Sequence, residues 1–262
     1  MSTNGHGPND ELLVESRGNI RVVTMNRSHA LNAADEFLHG ELAGIWTELS
    51  ADPEVRAIVL TGSGKAFSGG GDLSLLERMT TDVELRARIM VEAADIVRSM
   101  TTVPVPIIAA VNGPAVGLGC SLAAMSDLVI IEEHAYFADP HVALGLVAAD
   151  GGALTWPLLT SLMRAKEHLL LGDRLPAQLA MDIGLANRVV PTGESVTVAL
   201  ELADRMAALP PQAVRETKSL LNTALRSVVD AALPTAITTE SASFDEPAFR
   251  ANLAGMLARS RS

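Results

Sequence analysis

Through the first half of the chain, short apolar runs alternate with stretches of helical spacing. Residues 20–25 (IRVVTM) are mostly β-branched and predict a strand, and Val14-Glu15, just before Arg17-Gly18-Asn19, predict its hairpin partner. Residues 35–49 place Phe37, Leu38, Leu42, Ile45, Trp46 and Leu49 three and four apart, which predicts a helix that Asp52-Pro53 ends. Residues 57–61 (AIVLT) predict a buried strand that runs into a glycine-rich segment over 62–72. Residues 82–100 predict a long helix with Ile89, Met90, Ala93, Ile96 and Val97 on one side. Residues 105–111 and 128–131 predict two further buried strands, and Tyr136-Phe137 begins another. After Pro140 the strand signals fade. Residues 164–171, 176–183, 194–209, 211–232 and 246–259 predict helices. The fold class is therefore α/β, with a helical C-terminal region. The expected organisation is a flexible polar tail over 1–10, an α/β core over 11–200 and a helical region over 201–262.

Residues 99–126 carry no charge, a length that would span a membrane. However, Pro104, Pro106, Gly113, Pro114, Gly117 and Gly119 interrupt the run, so it predicts a buried strand, a turn and a buried helix. The first ten residues lack the basic and apolar regions of a signal peptide. With 48% hydrophobic and 19% charged residues over 262 positions, the chain can bury a large core. A net charge of −11 argues against a nucleic-acid partner, so any anionic ligand must be met by a local arrangement. A single cysteine, Cys120, excludes an intrachain disulfide and favours a cytoplasmic setting. Its neighbourhood reads as small core.

Two segments carry candidate chemistry. In AIVLTGSGKAFSGGGDL, three successive glycines let the backbone turn sharply and expose N–H groups to a phosphate or an oxyanion, unless they form an ordinary turn. The spacing is not that of a phosphate-binding loop, and Phe67 occupies the third glycine position of a dinucleotide fingerprint. In PIIAAVNGPAVGLGCSL, a buried strand leads into a helix near Gly117, whose N-terminus favours negative charge; close packing of small residues is the other reading. Further on stands Asp139-Pro-His141, followed by Asp150-Gly-Gly. Histidine titrates near neutrality and an aspartate can orient it, although a core histidine and a helix-capping Asp150 would fit the same residues. His29 and His39, near a helix start, are expected to be exposed. No His/Cys/Asp spacing suits a metal, so none is expected.

The two glycine-bearing segments, with Asn26-Arg27 and Ala30-Leu31-Asn32 before them, make the sequence resemble the crotonase (enoyl-CoA hydratase/isomerase) superfamily over nearly its whole length. The resemblance implies a crotonase-type ββα spiral core and a homotrimer or dimer of trimers assembled through 201–262. It implies an acyl-CoA substrate, with CoA as part of that substrate rather than a separate cofactor, and with neither nucleic acid nor membrane as partner. By motif position, the N–H groups of Gly71 and Leu118 would hold the thioester oxygen. Most members have glycine at the second position, so the Leu118 side chain would reshape the pocket. Lys65, Ala66, Phe67, Ser68, Gly69, Gly70, Asp72, Leu73 and Gly117 would contact substrate or CoA, and Lys218 or Arg215 would reach the phosphates.

The two glutamates that hydratases of this family use as acid and base are replaced here by Ser121 and His141. The string Pro140-His141, Gly145-Leu-Val-Ala-Ala-Asp150-Gly151, Trp156-Pro157 also resembles the 6-oxocamphor hydrolase branch, which cleaves cyclic β-diketones with a His–Asp pair. Glu240 falls near a glutamate of that site, and Leu118 falls where it has a further histidine. Three activities follow from the resemblance: hydration or isomerisation of an enoyl-CoA through His141 and Asp150, β-diketone hydrolysis by the same pair, or acyl-CoA binding without catalysis.

Overall fold

Alternating apolar runs and amphipathic helices build a sheet with helices on both faces. The computed structural model describes residues 3–5 and 10–260. In chain order the first elements are β1 (Thr3–Gly5), β2 (Leu12–Arg17), β3 (Ile20–Met25), α1 (Glu36–Ala51), β4 (Ala57–Gly62), α2 (Leu73–Met79) and α3 (Val83–Thr102). Next come β5 (Ile107–Val111), β6 (Ala115–Val116), α4 (Leu118–Ala124), β7 (Leu128–Glu132), β8 (Tyr136–Ala138), α5 (His141–Leu144), α6 (Gly152–Leu159) and α7 (Leu162–Leu171). The chain continues with β9 (Leu175–Pro176), α8 (Ala177–Asp182), β10 (Arg188–Val190), α9 (Ser195–Ala207), α10 (Pro211–Leu221), α11 (Thr223–Ser243) and α12 (Pro247–Ser260).

The main sheet has the order β1-β2-β3-β4-β5-β7-β10 among the described residues. The hairpin β2–β3 is antiparallel, and β3, β4, β5, β7 and β10 run parallel to one another. All of β4 and β5 is buried, as expected for parallel strands covered on both faces. Alternate side chains serve opposite layers. Ile58, Leu60, Ile107 and Ala109 pack with Leu38, Trp46, Ile96 and Val97 of α1 and α3. Ala57, Val59, Ile108 and Ala110 pack with Ala199, Leu202 and Ala203 of α9. A small sheet, β6-β8-β9, stands beside the main one.

Local sequence explains where helices begin. Asp35 accepts from the N–H groups of Phe37 and Leu38 at 3.0 Å, Asp72 from Ser74 at 2.9 Å and Asp82 from Leu85 at 2.9 Å. α11 packs on α3 and α12 on α2, which brings the C-terminal helices against the loops of the core.

Several expectations shift. The predicted helix over 211–232 is two helices that break at Asn222, and the second continues to Ser243. α2, α6 and β10 carried no signal strong enough to predict; β10 is a three-residue edge strand. Of the expected N-terminal tail, residues 1, 2 and 6–9 lie outside the described residues, whereas Thr3–Gly5 pairs antiparallel with β2. The uncharged run over 99–126 forms the end of α3, then β5, β6 and α4. No described helix is long and apolar enough to cross a membrane.

Candidate active site

The glycine-rich loop after β4 lies against the turn before α4, tied to it by Asn112 and braced from the segment before α1 by Asn32. Asn112 accepts from the Gly62 N–H at 3.3 Å and donates to Gly64 O at 3.2 Å. Asn32 donates to Ser63 O and Ala66 O at 2.8 Å each. Gly70 has φ +90°, and a Cβ there would sit 2.9 Å from Val116 O, so the approach of the two segments requires glycine. Gly117, at φ +51°, lets the chain turn into α4 beside His141, whose Cε1 would lie 3.5 Å from an added Cβ.

Most N–H groups in these turns are satisfied by protein. Gly69 donates to Leu31 O at 2.8 Å, Gly70 to Ser68 Oγ at 3.2 Å, Asp72 to Ala34 O at 2.9 Å and Gly117 to Ala138 O at 2.9 Å. The N–H groups of Gly71 and Leu118 have no hydrogen-bond partner among the described residues. Both residues line one cavity of about 150 Å³. Its lining includes the apolar side chains of Leu75, Met79, Ile89, Met90 and Phe244 and the polar side chains of His39, His141, Asp150 and Glu240.

His141 opens α5, directly after Pro140. Asp139 Oδ1 accepts its backbone N–H at 3.3 Å and also hydrogen-bonds its Nδ1. On the other side of the ring, Nε2 lies 3.6 Å from Asp150 Oδ2. Asp150 Oδ1 accepts from Ser121 Oγ at 2.9 Å. The imidazole is thus flanked by two buried carboxylates. Burial opposes its protonation, but the charges of Asp150 and Asp139, the Asp139 hydrogen bond and the charge of Glu240 outweigh it, holding the pKa well above the ordinary histidine value. Burial raises the Asp150 carboxyl, Asp139 adds to the rise, and His141, Ser121 and His39 counter it. Burial and the charge of Asp150 push Glu240 up to about 8, partly offset by His141.

The sequence profile of the enoyl-CoA hydratase/isomerase family matches residues 15–258. The chain belongs to that family. A short-chain-enoyl-CoA hydratase of Clostridium acetobutylicum is 34% identical over 238 residues, covering 90% of this chain and 89% of the relative. A mitochondrial enoyl-CoA hydratase of Pongo abelii is 34% identical over 205 residues, covering 77% of this chain and 69% of its own. The crystal structure of an enoyl-CoA hydratase/isomerase from Mycobacterium paratuberculosis superposes with a TM-score of 0.92 at 48% identity, covering 94% of this chain and 98% of that one. The crotonase-type α/β fold follows.

Within this family member, His141, Asp150, Glu240, Gly71, Leu118, Gly69, Gly70, Leu73 and Gly117 line the cavity, and Ser121 holds Asp150 from behind. Other expected contact residues serve the frame. Ala66 and Phe67 are fully buried, and Ser68 Oγ donates to Asn32 O at 2.9 Å. Asp72 caps α2 and pairs with Arg27 at 3.2 Å, whereas Lys65 is exposed on the loop. Lys218 is not free for a phosphate: its Nζ donates to Asp127 Oδ2 at 2.6 Å and Val105 O at 2.8 Å, held inside by packing. Arg215 is half-buried and makes one bond, to Val55 O at 3.4 Å, while its Nε has no partner among the described residues. His39 is buried rather than exposed, because it sits on the inner face of α1, where Nδ1 lies 2.9 Å from Glu92.

Asp139 was not assigned from sequence, and it is Asp139, not Asp150, that bonds Nδ1 of His141. The i, i+2 pattern Asp-Pro-His was its available signal, since an aspartate two residues ahead of a backbone N–H readily forms this turn.

Proposed function

We propose that this protein acts on an acyl-CoA thioester by enoyl-CoA hydratase/isomerase-type chemistry, with Asp150 and His141 in place of the family's two glutamates. The observation that carries this reading is the pair of unpartnered N–H groups, Gly71 and Leu118, lining the same cavity as His141. A thioester carbonyl oxygen accepting from both gains stabilisation as negative charge builds on it, and one such donor contributes about 2.7–4 kcal/mol. The same polarisation makes the α-carbon acidic. Ser121 occupies the first glutamate position, and its hydrogen bond brings the Asp150 carboxylate to that side. For hydration, Asp150 takes a proton from water, the hydroxide adds to the β-carbon, and His141 gives its proton to the α-carbon. A proton passing from Asp150 to His141 Nε2 resets the pair. For a double-bond shift the same two groups move the proton without water.

A second reading is supported by Lys218, which bonds inside the protein rather than awaiting CoA phosphates. In it, His141 and Asp150 activate water against a ring carbonyl of a β-diketone, breaking a carbon–carbon bond. One panel separates the two: enoyl-CoA thioesters followed for hydration and double-bond shift, and cyclic β-diketones followed for ring opening. Turnover of thioesters supports the first reading. Turnover of diketones alone replaces it with the second.

Asp139→Asn tests how His141 is set. Removing this negative charge lowers the histidine pKa, so the proton on His141 is lost at lower pH. The alkaline limb of the kcat/KM profile moves down in pH, and kcat falls about a hundredfold as the ring loses the charge that holds its proton and fixes its orientation. An unmoved limb would show that Asp139 does not hold the proton.

A further inference from the structure

The Gly71 N–H owes its direction to the way its loop lies against the segment before α1. Ala34 donates to Gly70 O at 2.7 Å and accepts from the Asp72 N–H at 2.9 Å, so residues 34 and 71 form one step of a parallel ribbon. In such a step the neighbours of Gly71 bond to Ala34, and Gly71 itself turns its N–H the other way, where it meets the cavity. One side chain grips both segments of this step. Arg27, buried just after β3, donates from Nη1 to Ala33 O, and to Asp72 Oδ2 at 3.2 Å. Its Nη2 lies 3.2 Å from Asp35 Oδ2, and its Nε 3.3 Å from Glu11 Oε1. Asp35 and Asp72 each divide their oxygens alike. One oxygen caps a helix, α1 at Phe37 and Leu38 or α2 at Ser74, and the other meets the guanidinium. A planar guanidinium presents its donors in a fixed fork, so it sets the spacing of the groups it joins as well as balancing their charge.

We propose that Arg27 is the positioning residue of the oxyanion site: it locks the Ala34–Gly71 step and so aims the Gly71 N–H at the bound carbonyl oxygen. The identity of that carbonyl as a thioester rests on the acyl-CoA reading; the lock itself does not. Arg27 lies outside the cavity lining and acts through Gly71. Without it, the half-buried carboxylates of Glu11, Asp35 and Asp72 would be gathered with no cation between them, and their repulsion would part the two segments. A donor that has turned away loses more stabilisation in the transition state, where charge has built on the oxygen, than in the ground state. The signature is a fall in kcat at nearly constant KM.

The experiment compares the full wild-type chain with Arg27→Met, Arg27→Lys and Asp72→Asn. Hydrogen exchange at the Ala34 and Asp72 amides, which bond across the step, reads the lock without any substrate. In Arg27→Met it should quicken about tenfold or more, while the amides of β4 and β5 keep their rates. On the thioester that the panel identifies, kcat of Arg27→Met should fall about 10–100-fold with KM within about threefold, and the infrared carbonyl band of bound thioester should move back toward its free position. Arg27→Lys, which restores the charge without the fork, should recover part of kcat. Asp72→Asn keeps a helix-capping side chain but removes one charged partner; it should lower kcat about tenfold, and it decides the matter if Arg27→Met does not fold. Unchanged exchange at Ala34 and Asp72 overturns the proposal. So does an unchanged kcat and carbonyl band in a folded variant, or a loss of activity that only follows the fraction of unfolded protein. If the wild type neither binds nor turns over a thioester, the acyl-CoA reading fails; quickened exchange then still supports the lock, and unchanged exchange overturns it.

Discussion

His141→Ala is expected to lower kcat by about 10²–10⁴-fold, the range that a positioned acid or base contributes. The loss has a physical origin beyond a missing contact. His141 is poised between two carboxylates, with Asp139 on Nδ1 and Asp150 Oδ2 3.6 Å from Nε2. Their charges keep it protonated where an ordinary histidine would be neutral, so it can give a proton to a developing carbanion. Alanine removes that proton and leaves Asp139 and Asp150 unopposed. The apparent pKa of Asp150 should rise, because His141 is the largest influence holding it down. His141→Gln keeps size and a donor but cannot shuttle a proton, and should lose nearly as much kcat. The measurement is kcat and KM on whichever substrate the panel identifies, with thermal unfolding as a fold control. Full activity in a folded His141→Gln protein would refute the assigned role.

Gly113→Ala is expected to destabilise the protein by about 3 kcal/mol or more, the upper range for forced overpacking. A Cβ at this position would lie 2.2 Å from Lys65 O, 2.9 Å from Lys65 C and 3.0 Å from Ala66 Cα. All three are backbone atoms, so no side chain can swing aside. The loop that must yield is tied by Asn32 and Asn112 on one side and by the Ser68–Val116 bond on the other. At about 2–4 °C per kcal/mol for a chain of this size, Tm should fall by roughly 6–12 °C. Turnover should fall as well, since Gly71 is carried on the displaced loop. Gly44→Ala is the matched control. It lies inside α1 with no atom within 4 Å of an added Cβ, so it should raise stability by about 0.5–1 kcal/mol. Equal Tm values for the two variants would show that the close approach at Gly113 is not rigid.

Much of the active-site frame was legible along the chain. The apolar runs at 57–61 and 105–111 became the central parallel strands, and the glycines before Asp72 and around residue 118 became the two facing turns. Ser121 and His141 stood out because carboxylates were missing where the family resemblance places them. The roles around His141 were less legible. A nine-residue spacing says nothing of distance, and only packing shows that Asp150 reaches Nε2 while Asp139 takes Nδ1. Lys218 carried a charge that suited a phosphate equally well, until the fold placed it against Asp127.

By itself the sequence determined the alternation of strands and helices, the central strands, the sharp turns and the kinds of reactive groups present. These depend on side-chain periodicity, on cap residues and on the backbone freedom of glycine, all of which act within a few residues. Only the tertiary structure decided which groups share one cavity: Glu240 from α11, His39 from α1 and Asp150 from the loop before α6. Their meeting depends on how helices pack across the sheet, through contacts between segments far apart in the chain. The same burial sets their proton affinities, because the solvent each group loses and the charges it gains are properties of the assembled cavity.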